Sequence, residues 1–324
     1  MLYFIFTNLI VFLSTLLLIR FKKSFFIKEF CRSKEKHNYN KNILPLGGII
    51  LICLIYLNYK YLNLEFLISC LLIFLLGLSS DLKIIKSPVV RFILMVFIVG
   101  IYIYFSNTLI SQNNFPLIYK LMNNELFNFI FLLVSILIII NGCNFIDGVN
   151  NNLNIYFFLL NLSVIYVKYI YGVDFEFNIF LVIFSFFFFF VNYKNIIMFG
   201  DAGAYLIGFL SALEIVHITN EIQFLSKYFA IILLAYPSYE VLFSIGRKRK
   251  KNALFPDESH LHLLLIRFNN QNHIKTSLQL NFLNLIIFLL GSIYHNDNVI
   301  LVFLILMYVI MYNYIHNYLS RQYF

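Results

Sequence analysis

Four aspartates close to hydrophobic segments are the residues of this chain best suited to chemistry. Asp81, Asp147 and Asp201 are each flanked by apolar stretches, and Asp257 follows a run of basic residues. An ionised carboxylate is costly to hold beside an apolar span. Mg²⁺ binds proteins through one or two carboxylates and completes its shell with water and substrate phosphates. The set therefore predicts a site for a divalent cation and a phosphate-bearing substrate.

The loops around these aspartates carry further polar groups at regular spacing. Asn141, Asn144 and Asp147 recur every third residue, which on a helix places them on one stripe. Gly200 precedes Asp201 at a predicted helix start, where backbone N–H groups bind phosphates well. A plain turn at Asp147 and a plain N-cap at Asp201 are the alternatives. Each of these aspartates, taken alone, could be an ordinary loop residue, so the prediction depends on all four together.

A basic segment with two histidines follows later in the chain. Arg247–Lys251 is a stop-transfer sequence that also suits anionic headgroups, and Arg247 is a candidate contact for a diphosphate. His260 and His262 are spaced to face a metal or a phosphate. Without a third ligand at the right spacing, they are a weak zinc signal.

Composition indicates that these loops belong to a membrane protein. Hydrophobic residues make up 61% of the chain, charged residues 12%, and the mean hydropathy is +0.83. A soluble domain needs roughly a quarter of its residues charged. The chain is therefore predicted to be one all-α integral membrane domain over residues 1–324, a polytopic bundle of about 11 transmembrane helices. The predicted spans are 2–19, 44–59, 64–80, 88–106, 125–141, 153–167, 178–192, 202–219, 225–245, 277–294 and 298–317.

The distribution of positive charge predicts the orientation of this bundle. With the N-terminus periplasmic and the C-terminus cytoplasmic, only four of the 24 cationic residues face outward: Lys60, Lys120, Lys168 and Lys227. The candidate catalytic loops, about residues 20–43, 80–88, 141–152, 192–202 and 246–276, then face the cytoplasm. The net charge of +9 is explained by topology and by anionic lipid, so no nucleic-acid partner is expected.

In this order, the loops resemble the polyprenyl-phosphate N-acetylhexosamine-1-phosphate transferase superfamily, glycosyltransferase family 4. The resemblance covers about residues 36–266, and its histidine motif is similar to that of the sugar-transferring branch rather than the muramoyl-pentapeptide branch. Tyr236, Pro237 and Glu240 also fit that branch. The segments that resemble the family's motifs are Pro45–Gly48, Gly77–Asp81, Asn141–Asn151, Gly200–Gly203 and His260–His262.

The resemblance implies an activity. The enzyme would transfer an N-acetylhexosamine-1-phosphate from a UDP-sugar to undecaprenyl phosphate, releasing UMP, at the cytoplasmic face of a bacterial inner membrane. The product would initiate an envelope glycan such as O-antigen or capsule. The implied cofactor is Mg²⁺, with Mn²⁺ as a possible substitute. The implied partners are the UDP-N-acetylhexosamine, undecaprenyl phosphate and membrane lipid; a homodimer is left open.

The resemblance also implies roles for individual residues. Asp201 would be the principal metal ligand, Asp81 would lie close to the metal and the diphosphate, and Asn150 and Asn192 would contact the uridine. The catalytic set is Asp81, Asp147, Asp201, His260 and His262. The substrate-binding set is Asn141, Asn144, Asn150, Asn192, Arg91, Gly200 and Arg247.

Three positions depart from the family pattern. Ser80 stands where the first aspartate of a pair is usual, Asn151 replaces a glycine, and Met198 replaces an aromatic residue. An inactive paralogue is disfavoured because Asp81 and Asp201 are retained together with Asp147. A muramoyl-pentapeptide transferase is the alternative within the family, and a transporter or lipid flippase is the alternative from another class. The sequence leaves the sugar and the pathway open.

Overall fold

The structure is a computed structural model that describes residues 6–11, 13, 45–58, 63–110, 119–194, 197–248 and 259–323. The elements named for these ranges are all helices. They are α1 (Gly47–Leu57), α2 (Leu64–Asp81), α3 (Pro88–Ser106), α4 (Tyr119–Met122), α5 (Glu125–Ile146), α6 (Asn152–Tyr171), α7 (Glu176–Tyr193), α8 (Gly200–Glu221), α9 (Lys227–Leu233), α10 (Ala235–Lys248), α11 (Leu261–Phe268), α12 (His273–Ile293) and α13 (Asn298–Tyr323).

Eight of these helices are long and apolar enough to cross a membrane: α2, α3, α5, α6, α7, α8, α12 and α13. The bent pair α9–α10 makes a ninth if it is counted as one span. The prediction of an α-helical membrane bundle is confirmed, whereas the count of eleven and the orientation of the termini stay predictions. Most of the expected first span, 2–19, and the whole loop 20–43 lie outside the described residues.

Helix ends gather at one end of the bundle, which we call the site face. It comprises the described residues of the loops after α2, α5, α7 and α11, together with Ser259 and His260 before α11. Asp201 at the start of α8 contacts Asp81 at the end of α2. The loop after α5 contacts the end of α7 through Asn151 and Asn192. The described parts of the loops around Asp81, Asp147 and Asp201 are therefore on a common face.

Helix α8 is the centre of the bundle and packs against α1, α2, α5 and α6. Of its most apolar 18-residue stretch 89% is buried, against 22% for α3. Small residues along α8 let its neighbours approach closely, as is usual where lipid supplies no hydrophobic drive between helices. At the site face a Cβ on Gly77 of α2 would lie 2.6 Å from Ala202 N. Backbone-to-backbone contact therefore sets the distance between α2 and α8.

The predicted span 225–245 is not one continuous helix, which corrects the sequence analysis. α9 and α10 meet at an angle of 73° around Leu234. Pro237 has no N–H to donate to the carbonyl of Leu233, and its ring clashes with that carbonyl in a straight helix. The Tyr156 hydroxyl donates to the freed Leu233 oxygen at 3.0 Å. The break is therefore stable in an apolar setting, where an unsatisfied carbonyl would be costly.

Two of the lysines expected on the outer face are buried inside the bundle. Lys168 forms an ion pair with Glu214 at 2.7 Å and donates to Asn178 Oδ1 at 3.1 Å. Lys227 is also buried and donates to the Thr219 carbonyl. A buried charge must be compensated by a partner or by hydrogen bonds. These lysines therefore hold helices together.

The close approach of α2 and α8 gives a stability prediction. We expect Gly77→Ala to destabilise the folded protein by about 1–3 kcal/mol, because the new methyl group is forced into the Ala202 backbone. Gly100→Ala on α3 is the matched control, since its nearest neighbour would be Phe129 at 3.8 Å. Thermal unfolding in detergent measures both. Equal melting temperatures for the two variants would contradict the proposed contact.

Candidate active site

The Asp81 carboxylate caps helix α8 from a neighbouring helix. Its Oδ1 accepts a hydrogen bond from Asp201 N at 3.0 Å, and its Oδ2 accepts one from Ala202 N at 3.1 Å. The first amides of a helix have no acceptor within the helix and carry partial positive charge. The residue that precedes α8, Phe199, provides no side-chain cap. Asp81 therefore fixes the start of α8 and, with it, the position of Asp201.

The Asp201 side chain receives hydrogen bonds from three other helices. Its Oδ2 accepts from Arg91 Nη1 at 3.0 Å and from the Ser80 hydroxyl, and its Oδ1 accepts from Asn144 Nδ2 at 3.1 Å. Its side chain is 25% exposed. The N-cap alternative for Asp201 is not what the structure has, because Asp81 provides the cap. The carboxylate is instead held at the site face by a cation, a hydroxyl and an amide.

Ser80 lies at the centre of this cluster. Its hydroxyl contacts both Asp201 Oδ2 and Arg91 Nη1. A carboxylate at this position, as in the family pattern, would add a second negative charge beside Asp201. The serine leaves Asp201 and Arg91 as a one-to-one ion pair with a neutral bridge between them.

The asparagine stripe on α5 is present as predicted. Asn141 and Asn144 lie in the last turns of the helix, and Asp147 is its C-cap. Asn144 reaches Asp201. Asn141 instead donates to a carbonyl of its own helix at 2.7 Å and lies 3.7 Å from Met95 Sδ on α3. Asp147 is half-buried at the site face, one turn beyond Asn144.

The turn after α5 depends on Asn151 and Asn192. Asn151 has φ +61°, a left-handed conformation that glycine and asparagine tolerate best. Its N–H donates to Asn192 Oδ1 at 2.6 Å, and Asn192 Nδ2 donates to the Ile197 carbonyl at 2.6 Å. Asn150 Nδ2 lies 3.5 Å from the Asn192 carbonyl. Asparagine in place of glycine therefore keeps the turn, and Asn192 braces it from α7.

The two histidines share one buried carboxylate. Glu240 on α10 is 1% exposed, with Oε2 3.1 Å from His260 Nδ1 and Oε1 3.9 Å from His262 Nδ1. The imidazole rings are stacked, with centroids 5.6 Å apart, and the His260 ring lies 5.1 Å from that of Phe145. A Cβ on Gly148 would meet His262 Nε2 at 2.5 Å. The histidine motif is thus in contact with the α5–α6 turn.

Arg247 holds the chain just before His260. Its Nη1 donates to the Ser259 carbonyl at 2.7 Å and lies 2.9 Å from His316 Nε2 on α13. Its guanidinium lies 5.4 Å from the centre of the Phe243 ring. The expected contact of Arg247 with a diphosphate stays a prediction. The remainder of the basic run, 249–251, and Asp257 lie outside the described residues.

Sequence reasoning gave no role to Glu240 or to His316. A signal for Glu240 exists, because an ionisable residue inside a predicted span is a functional candidate by default. No comparable signal exists for His316, since its contact with Arg247 joins segments far apart in the chain. The sequence also did not predict that Ser80 bridges Asp201 and Arg91, because only the folded chain brings these residues together.

The donor groups at Asp201 fit Mg²⁺. Within the described ranges no three His, Cys, Asp or Glu side chains form a metal-binding group. Mg²⁺ needs only one or two carboxylates when phosphates and water supply the other ligands. Both carboxylates already accept hydrogen bonds, and Asp201 is the more available ligand because its side chain is 25% exposed whereas Asp81 is buried. A carboxylate has about four acceptor positions, so Asp81 keeps some capacity.

Comparison with known proteins agrees with this geometry. Residues 63–219 match the family model described as "Glycosyl transferase family 4". The matched region contains Ser80, Asp81, Arg91, Asn144 and Asp201, which form the cluster at the start of α8. A search of curated proteins gave no match. The match covers 157 of the 324 residues; it supports the polyprenyl-phosphate sugar-1-phosphate transferase superfamily for residues 63–219, and the chain is therefore a transferase.

Proposed function

We propose that this enzyme transfers an N-acetylhexosamine-1-phosphate from a UDP-sugar to undecaprenyl phosphate and releases UMP. The observation that carries the proposal is the cluster at Asp201, where one carboxylate meets Arg91, Ser80 and Asn144 at one end of a membrane bundle. A site at that end can receive a lipid phosphate from the membrane and a nucleotide from water. The product would start an envelope glycan such as O-antigen or capsule.

The reaction is a direct phosphoryl transfer. An oxygen of the lipid phosphate attacks the β-phosphorus of the UDP-sugar, and the bond to the UMP oxygen breaks with its electron pair. A phosphate monoester has a second pKa of about 6, so the nucleophile is already ionised near neutral pH. A general base is therefore dispensable, which agrees with serine at position 80. Mg²⁺ or Mn²⁺, held by Asp201 with Asp81 close by, would offset charge on the diphosphate.

Residues of the chain position this chemistry. Asp81 holds the N-terminus of α8 at the site face, where its carboxylate is the anion that the positive end of the helix favours. Arg91 is anchored through Nη1, and its Nε has no hydrogen-bond partner among the described residues. A guanidinium presents several donors in one plane and suits phosphate oxygens. Asn144 fixes the second oxygen of Asp201.

We propose that the substrate lies between the Asp201 cluster on one side and a second group of residues on the other, namely Asp147, His260 and His262. The contact between Gly148 and His262 brings the histidine motif to the turn that follows Asp147. Asn150 belongs to the same turn and Asn192 contacts it from α7, and both are proposed to meet the uridine. Their contacts described above set the shape of the loop into which the nucleotide would fit.

We further propose that the site face is cytoplasmic and that the membrane is a bacterial inner membrane. Basic residues beside the site support this orientation, because loops rich in lysine and arginine stay on the cytoplasmic side. The described basic residues of that face are Lys83, Lys86, Arg91, Lys194, Arg247, Arg267 and Lys275. Burial of Lys168 and Lys227 leaves the opposite face poorer still in surface cations.

A donor panel tests the proposed function. Membranes that contain the protein are incubated with undecaprenyl phosphate, Mg²⁺ and radiolabelled UDP-GlcNAc, UDP-GalNAc, UDP-QuiNAc, UDP-FucNAc or UDP-MurNAc-pentapeptide. We expect UMP release and labelled lipid from at least one N-acetylhexosamine donor. Transfer from the pentapeptide donor alone would favour the other branch of the family. Failure with every donor would remove the proposal.

Asp201→Ala should lower transfer on the order of a hundredfold or more, because it removes the expected metal ligand and the partner of Arg91. The matched control is Asp174→Ala, which removes an aspartate that accepts only a local hydrogen bond, from Glu176 N. Initial rates at saturating Mg²⁺ compare the two variants. Wild-type transfer by Asp201→Ala would take this residue out of the mechanism.

Ser80→Asp should lower the Mg²⁺ concentration that gives half-maximal activity. The new carboxylate would stand beside Asp201, so the pair would repel each other without a cation and bind a cation more tightly with one. We also expect the variant to gain more thermal stability from Mg²⁺ than the wild type does, by the linkage of binding to folding.

The matched control for this prediction is Ser79→Asp, which adds the same charge one residue earlier. The Ser79 hydroxyl bonds to the Leu76 carbonyl of its own helix rather than to Asp201. The same Mg²⁺ response in both variants would show that the added charge acts at long range. The predicted effect of a carboxylate in direct contact with Asp201 would then be wrong.

A further inference from the structure

Glu240 is a buried carboxylate that the proposed transfer does not yet use. It is 1% exposed and lies on α10, the second half of the bent pair α9–α10. An ionised carboxylate in such a place costs several kcal/mol unless partners compensate it. Within the described part of the chain, two histidines face it: His260 Nδ1 at 3.1 Å and His262 Nδ1 at 3.9 Å. The cost of burying Glu240 is therefore offset by the histidine motif.

The geometry of the rings shows what this contact fixes. Both histidines turn Nδ1 toward Glu240, and their rings are within 20° of parallel. The Nε2 edges therefore point away from the carboxylate. His262 Nε2 faces Gly148, directly after Asp147. A carboxylate that accepts from Nδ1–H selects the tautomer of an imidazole and orients its other nitrogen.

The backbone of the motif is anchored separately. Arg247 binds the Ser259 carbonyl at 2.7 Å, and His316 Nε2 lies 2.9 Å from the same oxygen. These contacts fix the chain at the residue before His260. Removal of the Glu240 charge should then change the orientation and tautomer of the imidazoles while the segment keeps its place.

We propose that Glu240 is a positioning residue for the transfer reaction. It binds His260 Nδ1 at 3.1 Å and lies 3.9 Å from His262 Nδ1, which leaves His262 Nε2 facing the Asp147–Gly148 turn, where the motif meets phosphate or sugar oxygens of the donor. The inference rests on the proposed function for its substrate. The orientation of the histidines is a separate claim, which can be measured without any substrate.

The first measurement is the ¹⁵N spectrum of histidine-labelled protein in lipid vesicles, for wild type and Glu240→Gln. Signals of the motif are assigned from His260→Gln and His262→Gln. We expect a protonated Nδ1 on His260 in the wild type and loss of that state in Glu240→Gln. Identical His260 and His262 signals in the two proteins would overturn the proposal.

The second measurement is steady-state transfer, with Glu214→Gln as the matched control. Glu214 is a half-buried carboxylate in the bundle, paired with Lys168. We expect Glu240→Gln to lower kcat on the order of 10- to 100-fold while KM for the UDP-sugar stays near the wild-type value. Glu214→Gln should keep kcat even where its melting temperature falls.

The outcomes distinguish a failure of the positioning role of Glu240 from a failure of the proposed transfer function. Wild-type kcat in Glu240→Gln, or equal losses of kcat in both variants, would overturn a positioning role. If the wild type transfers no sugar from any donor, the proposed function fails. The ¹⁵N spectra then still decide whether Glu240 orients the histidines.

Discussion

The bond between the Asp81 carboxylate and the first amides of α8 is the interaction on which the site depends. Without it, the start of the most buried helix would present two unpaired N–H groups beside an apolar core. With it, Asp201 is held between α2, α3 and α5, where Arg91 and Asn144 reach its two oxygens. A carboxylate that looks catalytic in the sequence therefore also assembles the site.

The site has two halves that share helix α5. On one side of α5, Asn144 contacts Asp201 in the region that the family model covers. On the other side, Phe145 and the turn at Gly148 contact the two histidines, which lie beyond that region. Because consecutive residues of one helix serve both halves, a shift of α5 would move the phosphate-binding and histidine groups together. The geometry thus couples two parts of the chain that are far apart in sequence.

Local patterns predicted much of this structure. The apolar spans, the polar stripe of Asn141 and Asn144, and the helix that begins at Gly200 follow from composition and spacing. Contacts between distant segments could not be predicted in the same way. Capping is normally sought within one turn, whereas Asp81 caps a helix 120 residues later. The bend before Pro237 was missed because hydropathy does not register a missing N–H donor.

The ion pair between Lys168 and Glu214 has a consequence for how the bundle is made. The chain is synthesised from its N-terminus, so α6 emerges with its lysine before the glutamate of α8 exists. Until then, the long lysine side chain can extend to the lipid headgroups and keep its charge hydrated. Only the arrival of α8 allows that charge to move inward. The ion pair that compensates the buried Lys168 charge is therefore completed only when a later helix is in place.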